Sequence, residues 1–132
     1  MQQRARVKET DIRALVVDDD PHTRRLIIRT LGTIGIRNTV EAGTGTQAVK
    51  AAQQGVFDVV LLDWNMPELS GIDVLRLIRG SDRPSRVIMV TAETNKARIL
   101  EAMESGVDDY LIKPFKPDQL VKKVKRVVPG AG

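Results

Sequence analysis

The stretch Val59-Val60-Leu61-Leu62-Asp63-Trp64-Asn65-Met66-Pro67 decides the fold of this 132-residue chain. Four consecutive branched aliphatic residues with no polar alternation predict a strand that is buried on both faces, as in a parallel sheet. The run ends in Asp63, and open α/β sheets bind their ligands at the carboxyl ends of their strands. A carboxylate beside so much apolar surface is costly unless a cation or a reaction requires it. Asp63 is therefore the first candidate functional residue, although a capping or turn role would give the same pattern.

Apolar runs and amphipathic stretches alternate along the rest of the chain. The sequence predicts strands at residues 12–17, 37–42, 57–63, 87–91 and 109–112, and helices at 21–34, 47–54, 71–79, 95–105 and 117–128. Asp20 as N-cap and Pro21 as first residue open the first helix, and Gly35 closes it. The fourth helix carries Ile99, Leu100 and Met103 as its expected apolar face. Five βα units with short connections predict an α/β fold with a five-stranded parallel sheet, right-handed crossovers and helices on both faces.

Length and composition indicate one domain of an ordinary globular type. We expect a flexible basic leader at residues 1–10, the domain at 11–128 and a short tail at 129–132. Because only Pro-Gly-Ala-Gly follows Val128, we expect no covalently linked effector domain.

Cysteine is absent, which excludes disulfides and thiolate metal sites. No run approaches the roughly 18 apolar residues of a membrane span, and the N-terminus lacks the apolar region of a signal peptide. These features favour a cytoplasmic location. The net charge is +4 and the pI about 9.7, but the basic residues are dispersed and aromatic residues make up only 3%. Specific nucleic-acid binding is therefore not expected.

Polar side chains stop four of the five predicted strands. Asp18 and Asp19 follow the first strand and Asp63 the third, whereas Thr91 ends the fourth and Lys113 follows the fifth. In a parallel sheet these ends share one edge, so the three carboxylates would repel one another unless a cation intervenes. Oxygen ligands suit Mg²⁺, while an ammonium and a hydroxyl can bind phosphoryl oxygens. The edge thus predicts an Mg²⁺ site at which Asp63 forms an acyl phosphate, against a purely structural alternative of caps plus one salt bridge.

The motifs at this edge resemble those of the response-regulator receiver family. The resemblance runs from about residue 12 to residue 128, and its motifs are Asp18-Asp19, Asp63, Thr91-Ala92 and Lys113-Pro114-Phe115. The segments Asp63-Trp64-Asn65-Met66-Pro67 and Val90-Thr91-Ala92-Glu93, with Tyr110, look most like the single-domain chemotaxis regulators of that family. The resemblance implies a doubly wound, flavodoxin-like (βα)5 sandwich with strand order 2-1-3-4-5.

The same resemblance implies a role for each site residue. Asp63 would accept a phosphoryl group from the phosphohistidine of a sensor histidine kinase. Mg²⁺ would be held directly by Asp19, Asp63 and the backbone carbonyl of Asn65, and through water by Asp18. Thr91, Ala92 and Lys113 would bind the phosphoryl group. Thr91 and Tyr110 would act as the switch. Asn65 and Glu93 would tune the dephosphorylation rate. Switching would remodel the face formed by the fourth helix, fifth strand and last helix, where partners dock.

The implied partners are a CheA-like histidine kinase, a downstream protein such as the flagellar motor switch, and possibly a phosphatase. The implied protein is not an enzyme; at most it assists its own phosphorylation and dephosphorylation. Three features depart from the chemotaxis regulators and leave the output partner open. The chain is basic where those proteins are acidic, Gly43-Thr44-Gly45 replaces an acidic-glycine turn, and the segment between Asp63 and Thr91 is slightly short.

Other interpretations stay open. The chain could be a phosphorelay intermediate or the detached receiver of a DNA-binding regulator. A haloacid-dehalogenase-type phosphatase is disfavoured because Pro21 and His22 follow Asp18-x-Asp20, and because Asp108-Asp109 precede Lys113 instead of following it. His22, the only histidine, is expected to be an exposed helix-start residue rather than a base, and Trp64 to cover the edge of the core.

Overall fold

The computed structural model describes residues 11–81, 85–128 and 130. The strands are β1 (Arg13–Val17), β2 (Asn38–Ala42), β3 (Val59–Leu62), β4 (Arg86–Thr91) and β5 (Asp109–Ile112). The helices are α1 (Pro21–Gly32), α2 (Gly45–Gln54), α3 (Gly71–Arg79), α4 (Lys96–Glu104) and α5 (Pro117–Val127). The predicted βα alternation is confirmed. The leader at 1–10 and three of the four tail residues lie outside the described residues.

The five strands form one parallel sheet in the order β2-β1-β3-β4-β5. This confirms the predicted doubly wound α/β fold. Val17 pairs with both Ala42 and Leu62, so the carboxyl ends of β2, β1 and β3 are level with one another. The residues that follow these ends therefore start from the same edge of the sheet.

The core has two layers, one on each face of the sheet. Alternate strand residues such as Val60 and Leu62 pack with the buried side chains of α2, α3 and α4. Their neighbours Val59 and Leu61 pack with the buried side chains of α1 and α5. This alternation explains why β3 is apolar at every position, since both of its faces are covered.

Two helix boundaries differ from the prediction by two residues. Helix α1 ends at Gly32 rather than continuing to Gly35, which has a φ of 85° in the turn that follows. Helix α2 begins at Gly45, because the Thr44 hydroxyl accepts the Gln47 N–H at 3.1 Å and caps the helix. The predicted Gly-Thr-Gly turn therefore leads directly into α2, and its last glycine is the first residue of the helix.

The predicted apolar face of α4 is wrong. Leu100 and Met103 are 55% and 58% exposed, whereas Ala102 is fully buried against the sheet. Residues 99 and 102 form one i, i+3 row, and residues 100 and 103 form the adjacent row. The helical period allows either row to face inward, and the tertiary packing selects the row with the small alanine.

Candidate functional site

The sheet register brings the predicted site residues together. Asp18 and Asp63 follow the paired residues Val17 and Leu62, and the Asp63 N–H donates to the Val17 carbonyl at 3.0 Å. The Lys113 N–H donates to the Thr91 carbonyl at 2.9 Å, which places Lys113 beside the end of β4. Side chains from positions 18, 63, 91 and 113 therefore share the edge that the sequence predicted.

A lysine bridges two buried carboxylates at the centre of this edge. The Lys113 Nζ donates to Asp18 Oδ2 at 2.6 Å and to Asp63 Oδ2 at 3.1 Å. Asp18 is 1% exposed and Asp63 7% exposed. Burying two carboxylates beside an apolar core is tolerable only with a compensating positive charge, which Lys113 supplies.

The pKa values of Asp18 and Lys113 are both raised at this centre. Burial raises the pKa of Asp18, and the hydrogen bonds from Lys113 and from the Asp20 N–H only partly offset that effect. Burial alone would lower the pKa of Lys113, but the Asp18 and Asp63 carboxylates outweigh it and raise that pKa. Lys113 is therefore held as an ammonium next to a carboxylate that desolvation disfavours as an anion.

Three carboxylates are arranged so that they can hold a cation. Asp18, Asp19 and Asp63 each offer an oxygen, and these oxygens lie within 4.8 Å of one another. Oxygens bound to one octahedral Mg²⁺ at ~2.0–2.1 Å lie about 3–4 Å apart, so small side-chain rotations bring the cluster into range. Asp19 is exposed, which leaves room for the waters that Mg²⁺ usually retains. The donor set fits Mg²⁺.

The loop that follows Asp63 is closed by backbone contacts. The Gly71 N–H donates to the Trp64 carbonyl at 2.7 Å, and Ser70 caps the helix α3 that begins there. Trp64 is 3% exposed and belongs to the core, which confirms its expected packing role. Asn65 lies in the loop and is exposed.

Thr91, at the end of β4, and Tyr110, near the start of β5, both bond to the backbone of Glu93. Thr91 is fully buried, and its hydroxyl accepts the Glu93 N–H at 3.3 Å. The Tyr110 hydroxyl donates to the Glu93 carbonyl at 2.9 Å. Burial, with the negative charges of Glu93 and Asp63, raises the pKa of Tyr110 to about 12. Ala92 lies exposed between Thr91 and Glu93.

Arg24 is a site residue that the sequence did not reveal. Its Nη1 donates to the Asp18 backbone carbonyl at 2.6 Å, and its Nε pairs with Glu41 at 2.8 Å. The guanidinium therefore ties the acidic turn after β1 to the end of β2. Spacing alone does not distinguish Arg24 from the neighbouring Arg25, because only the fold brings Glu41 into reach.

The residues at the start of α1 serve the helix. The Asp20 carboxylate accepts the Thr23 hydroxyl at 2.9 Å and the His22 N–H at 3.0 Å, and these bonds lower its pKa. Asp20 is thus the predicted N-cap and lies outside the acidic cluster, which argues further against the dehalogenase-type pairing with Asp18. His22 is exposed, as expected, and its Nδ1 lies 2.9 Å from an Arg25 nitrogen.

Helices of the described part of the chain are too short and too polar to cross a membrane.

Comparison with known proteins gives a consistent result. Residues 14–125 match the family described as the response regulator receiver domain. The chain is 41% identical to the chemotaxis protein CheY of Pseudomonas aeruginosa over 118 residues, covering 88% of this chain and 95% of that protein.

Two further comparisons bear on the output of the domain. The solved structure of the chemotaxis response regulator CheY4 of Vibrio cholerae has a TM-score of 0.82 and 31% identity, covering 89% of this chain and 98% of that chain. The DNA-binding response regulator MtrA of Mycolicibacterium smegmatis is 42% identical over 113 residues, which cover 86% of this chain but only 49% of MtrA. Similarity thus extends both to stand-alone chemotaxis proteins and to one part of a DNA-binding regulator.

Proposed function

The chain belongs to the response-regulator receiver family, and from that premise we propose that it is a cytoplasmic phospho-acceptor switch in which Asp63 is the phosphorylated residue. CheY-type receiver domains are signalling proteins rather than classical enzymes, and Mg²⁺ and phosphorylation are typical of the family. The bridge from Lys113 to the buried Asp18 and Asp63 carries the proposal. Support for the proposal comes from the positions of the Asp63 carboxylate, the Lys113 ammonium and the neighbouring carboxylates of Asp18 and Asp19, which share one edge of the sheet. We assign the receiver to residues 11–128, between the leader and the tail.

The phosphoryl transfer follows from these positions. An Asp63 carboxylate oxygen attacks phosphorus, the new O–P bond forms as the N–P bond of the donor phosphohistidine breaks, and the imidazole leaves. Lys113 stays an ammonium and neutralises the phosphoryl oxygens, while the buried Thr91 hydroxyl and the Ala92 backbone donate to them. Asp18, Asp19, Asp63 and the Asn65 carbonyl would hold Mg²⁺. When bound, the ion supplies positive charge where the transferred group carries negative charge.

Switching uses the contacts around Glu93. When Thr91 turns toward the phosphoryl group, its hydroxyl must release the Glu93 N–H, and Tyr110 adjusts through its bond to the Glu93 carbonyl. These changes reach the surface made by α4, β5 and α5, where we place the partner-binding face. Asn65 and Glu93 lie two positions after Asp63 and Thr91 in the sequence, and on that basis we assign them to tuning the dephosphorylation rate.

Chemotaxis is the proposed setting because the chain spans nearly the whole length of a chemotaxis CheY protein at 41% identity. The corresponding partners are a CheA-like histidine kinase, a flagellar motor switch protein and possibly a phosphatase. The match to half of MtrA favours one second candidate, the isolated receiver of a DNA-binding regulator or a phosphorelay intermediate. Phosphotransfer from a chemotaxis kinase at least tenfold faster than from other kinases supports the first setting, and the reverse preference supports the second.

Trp64, the only tryptophan, provides the test of the switch itself. Its fluorescence is followed while Mg²⁺ and then acetyl phosphate are added to the wild type and to Asp63→Asn. We expect a response to Mg²⁺ and a further donor-dependent change that the variant lacks. An identical donor response in the variant would contradict the assignment of Asp63.

A further inference from the structure

Arg98, in the first turn of α4, lies between two segments that phosphoryl chemistry must connect. Its Cζ is 5.7 Å from the centroid of the Trp64 ring, and its Nη1 is 3.5 Å from Glu93 Oε1. One guanidinium therefore contacts both the residue after Asp63 and the residue two positions after Thr91. Nothing in the proposed function yet uses this contact.

The Trp64 side of this contact is rigid. The side chain is 3% exposed and packs in the core layer of α2, α3 and α4. Trp64 directly follows Asp63, and the Trp64 carbonyl accepts the Gly71 N–H. The position of the Trp64 ring is therefore tied to the position of the Asp63 backbone. A cation over its face gains from the ring quadrupole.

The Glu93 side of the contact joins several groups. Its Oε2 accepts the Asn95 N–H at 3.0 Å, at the start of α4. Its backbone N–H donates to Thr91, and its carbonyl accepts the Tyr110 hydroxyl. Fixing the Glu93 side chain therefore fixes the backbone to which both switch residues bind.

We propose that Arg98 is a positioning residue that couples the phosphoacceptor loop to the switch. By bridging Trp64 and Glu93 it holds the Glu93 backbone where the Tyr110 hydroxyl can bond to it, and it transmits changes at Asp63 to α4. The inference rests on the proposed function, since it specifies how the same site reaches its output face.

The exposure of the bridge sets the size of its effect. The Arg98 side chain is 50% exposed and that of Glu93 18% exposed. Exposed ion pairs and cation–π contacts of this kind are modest, so loss of the bridge should change the equilibrium between Tyr110 bonded to the Glu93 carbonyl and Tyr110 released from it about two- to fivefold. The effect should weaken at high salt, because exposed charges are screened.

The chain offers a matched control. The Arg76 and Glu101 side chains pair at 2.7 Å with exposures of 51% and 42%, and they join α3 to α4 beside the same loop. Arg76→Ala removes the same charge from an arginine of similar exposure, but one whose partner is Glu101 of α4 and not Glu93. It separates a general loss of positive charge from the loss of the Arg98 bridge.

Tyr110 is the only tyrosine, so fluorotyrosine labelling gives one fluorine NMR signal. The signal is recorded before and after Mg²⁺ and acetyl phosphate in the wild type, Arg98→Ala, Arg98→Lys, Glu93→Gln, Arg76→Ala and the double variant at 98 and 93. Intact mass on each sample gives its phosphorylated fraction. We expect Arg98→Ala and Glu93→Gln each to shift Tyr110 two- to fivefold away from the environment in which its hydroxyl bonds to the Glu93 carbonyl, compared at equal phosphorylated fraction. The double variant should show no further loss, Arg98→Lys an intermediate value and Arg76→Ala the wild-type value.

The outcomes separate this inference from the proposed function. If the wild type gains no phosphoryl mass, the proposed function fails. If Arg98→Ala is phosphorylated and its Tyr110 signal responds as in the wild type, the positioning role of Arg98 is overturned while the function stands. Independent, multiplying effects of the changes at 98 and 93 would also overturn it, because Arg98 would then not act through Glu93.

Discussion

Gly71 is the point at which the phosphoacceptor loop touches helix α3 most closely, and Gly71→Ala should disturb both stability and the site. A Cβ at this position would overlap the Asp63 carbonyl oxygen and would lie 2.8 Å from the Asp63 carbonyl carbon and 2.9 Å from the Trp64 Cα. Carbon atoms normally approach to ~3.5 Å, so the two carbon contacts alone would require helix and loop to separate by about 0.7 Å, and the overlap with the carbonyl oxygen would require more. Because the obstructing atoms are backbone, no side-chain rotation relieves the overlap.

The expected cost is that of overpacking a well-packed region, about 1–3 kcal/mol in the free energy of unfolding. The displaced residue is Asp63 itself, so Mg²⁺ affinity and the rate of phosphorylation by acetyl phosphate should also fall. Urea unfolding measures the first effect, and Trp64 fluorescence titration with Mg²⁺ measures the second.

Gly80→Ala is the control at the other end of the same helix. Gly80 has a φ of −79° and a ψ of −6°, and an added Cβ would meet its nearest neighbour, the Arg76 carbonyl oxygen, at 3.4 Å. This conformation suits alanine, so the change should leave stability unaltered or raise it by up to about 1 kcal/mol. If Gly71→Ala were as stable as Gly80→Ala and bound Mg²⁺ like the wild type, the reasoning from close approach would be refuted.

Three further predictions test the charges and the packing. The absorbance of Tyr110 should titrate with a midpoint of about 12. The folded state holds the phenol proton more tightly than the unfolded state does. Its contribution to the free energy of unfolding is therefore complete below about pH 10 and is lost as the pH rises toward 12. A midpoint near 10 in protein that circular dichroism shows to be folded would contradict this. Lys113→Met should lower the free energy of unfolding by about 1–3 kcal/mol, since the Asp18 carboxylate stays buried without its cation. Mg²⁺ should stabilise the variant more than it stabilises the wild type. If the variant and the wild type were equally stable in urea, this would argue against the bridge. Leu100→Ser should change the free energy of unfolding by no more than about 0.5 kcal/mol, because this side chain is exposed. Leu75→Ala should lower it by about 2–5 kcal/mol, because Leu75 of α3 is fully buried. A thermal unfolding experiment in which Leu100→Ser is the less stable variant would contradict this.

The strand ends were predictable from the sequence because each is an abrupt change of chemistry. An apolar run that stops at Asp63 or Thr91 marks both a buried strand and the edge where it emerges. The parallel sheet then brings these ends together without any knowledge of side-chain contacts. The structure confirms the fold class and the strand order given by the resemblance, and it brings Asp18, Asp19, Asp63 and Lys113 together at one edge.

Features that depend on tertiary contacts were not predictable in the same way. The inward row of α4 is selected by packing, so Leu100 and Met103 were misplaced. Arg24 and Arg98 are two of many arginines in the sequence, and only the fold brings Glu41 to one and Trp64 to the other. The close approach of Gly71 to Asp63 likewise arises only in the folded backbone.

The central claim is that Asp63 is phosphorylated in a reaction that depends on Mg²⁺. The most direct measurement is intact-protein mass after incubation with acetyl phosphate, with and without excess EDTA, followed by peptide mapping. Two variants are treated in parallel. Asp63→Asn removes the proposed phosphoacceptor, and Asp73→Asn changes an exposed aspartate of helix α3 as the control. We predict one added phosphoryl group in the wild type and in Asp73→Asn, mapped to Asp63, and none with EDTA or in Asp63→Asn. A phosphoryl group of equal yield in Asp63→Asn, or in the presence of EDTA, would contradict the account.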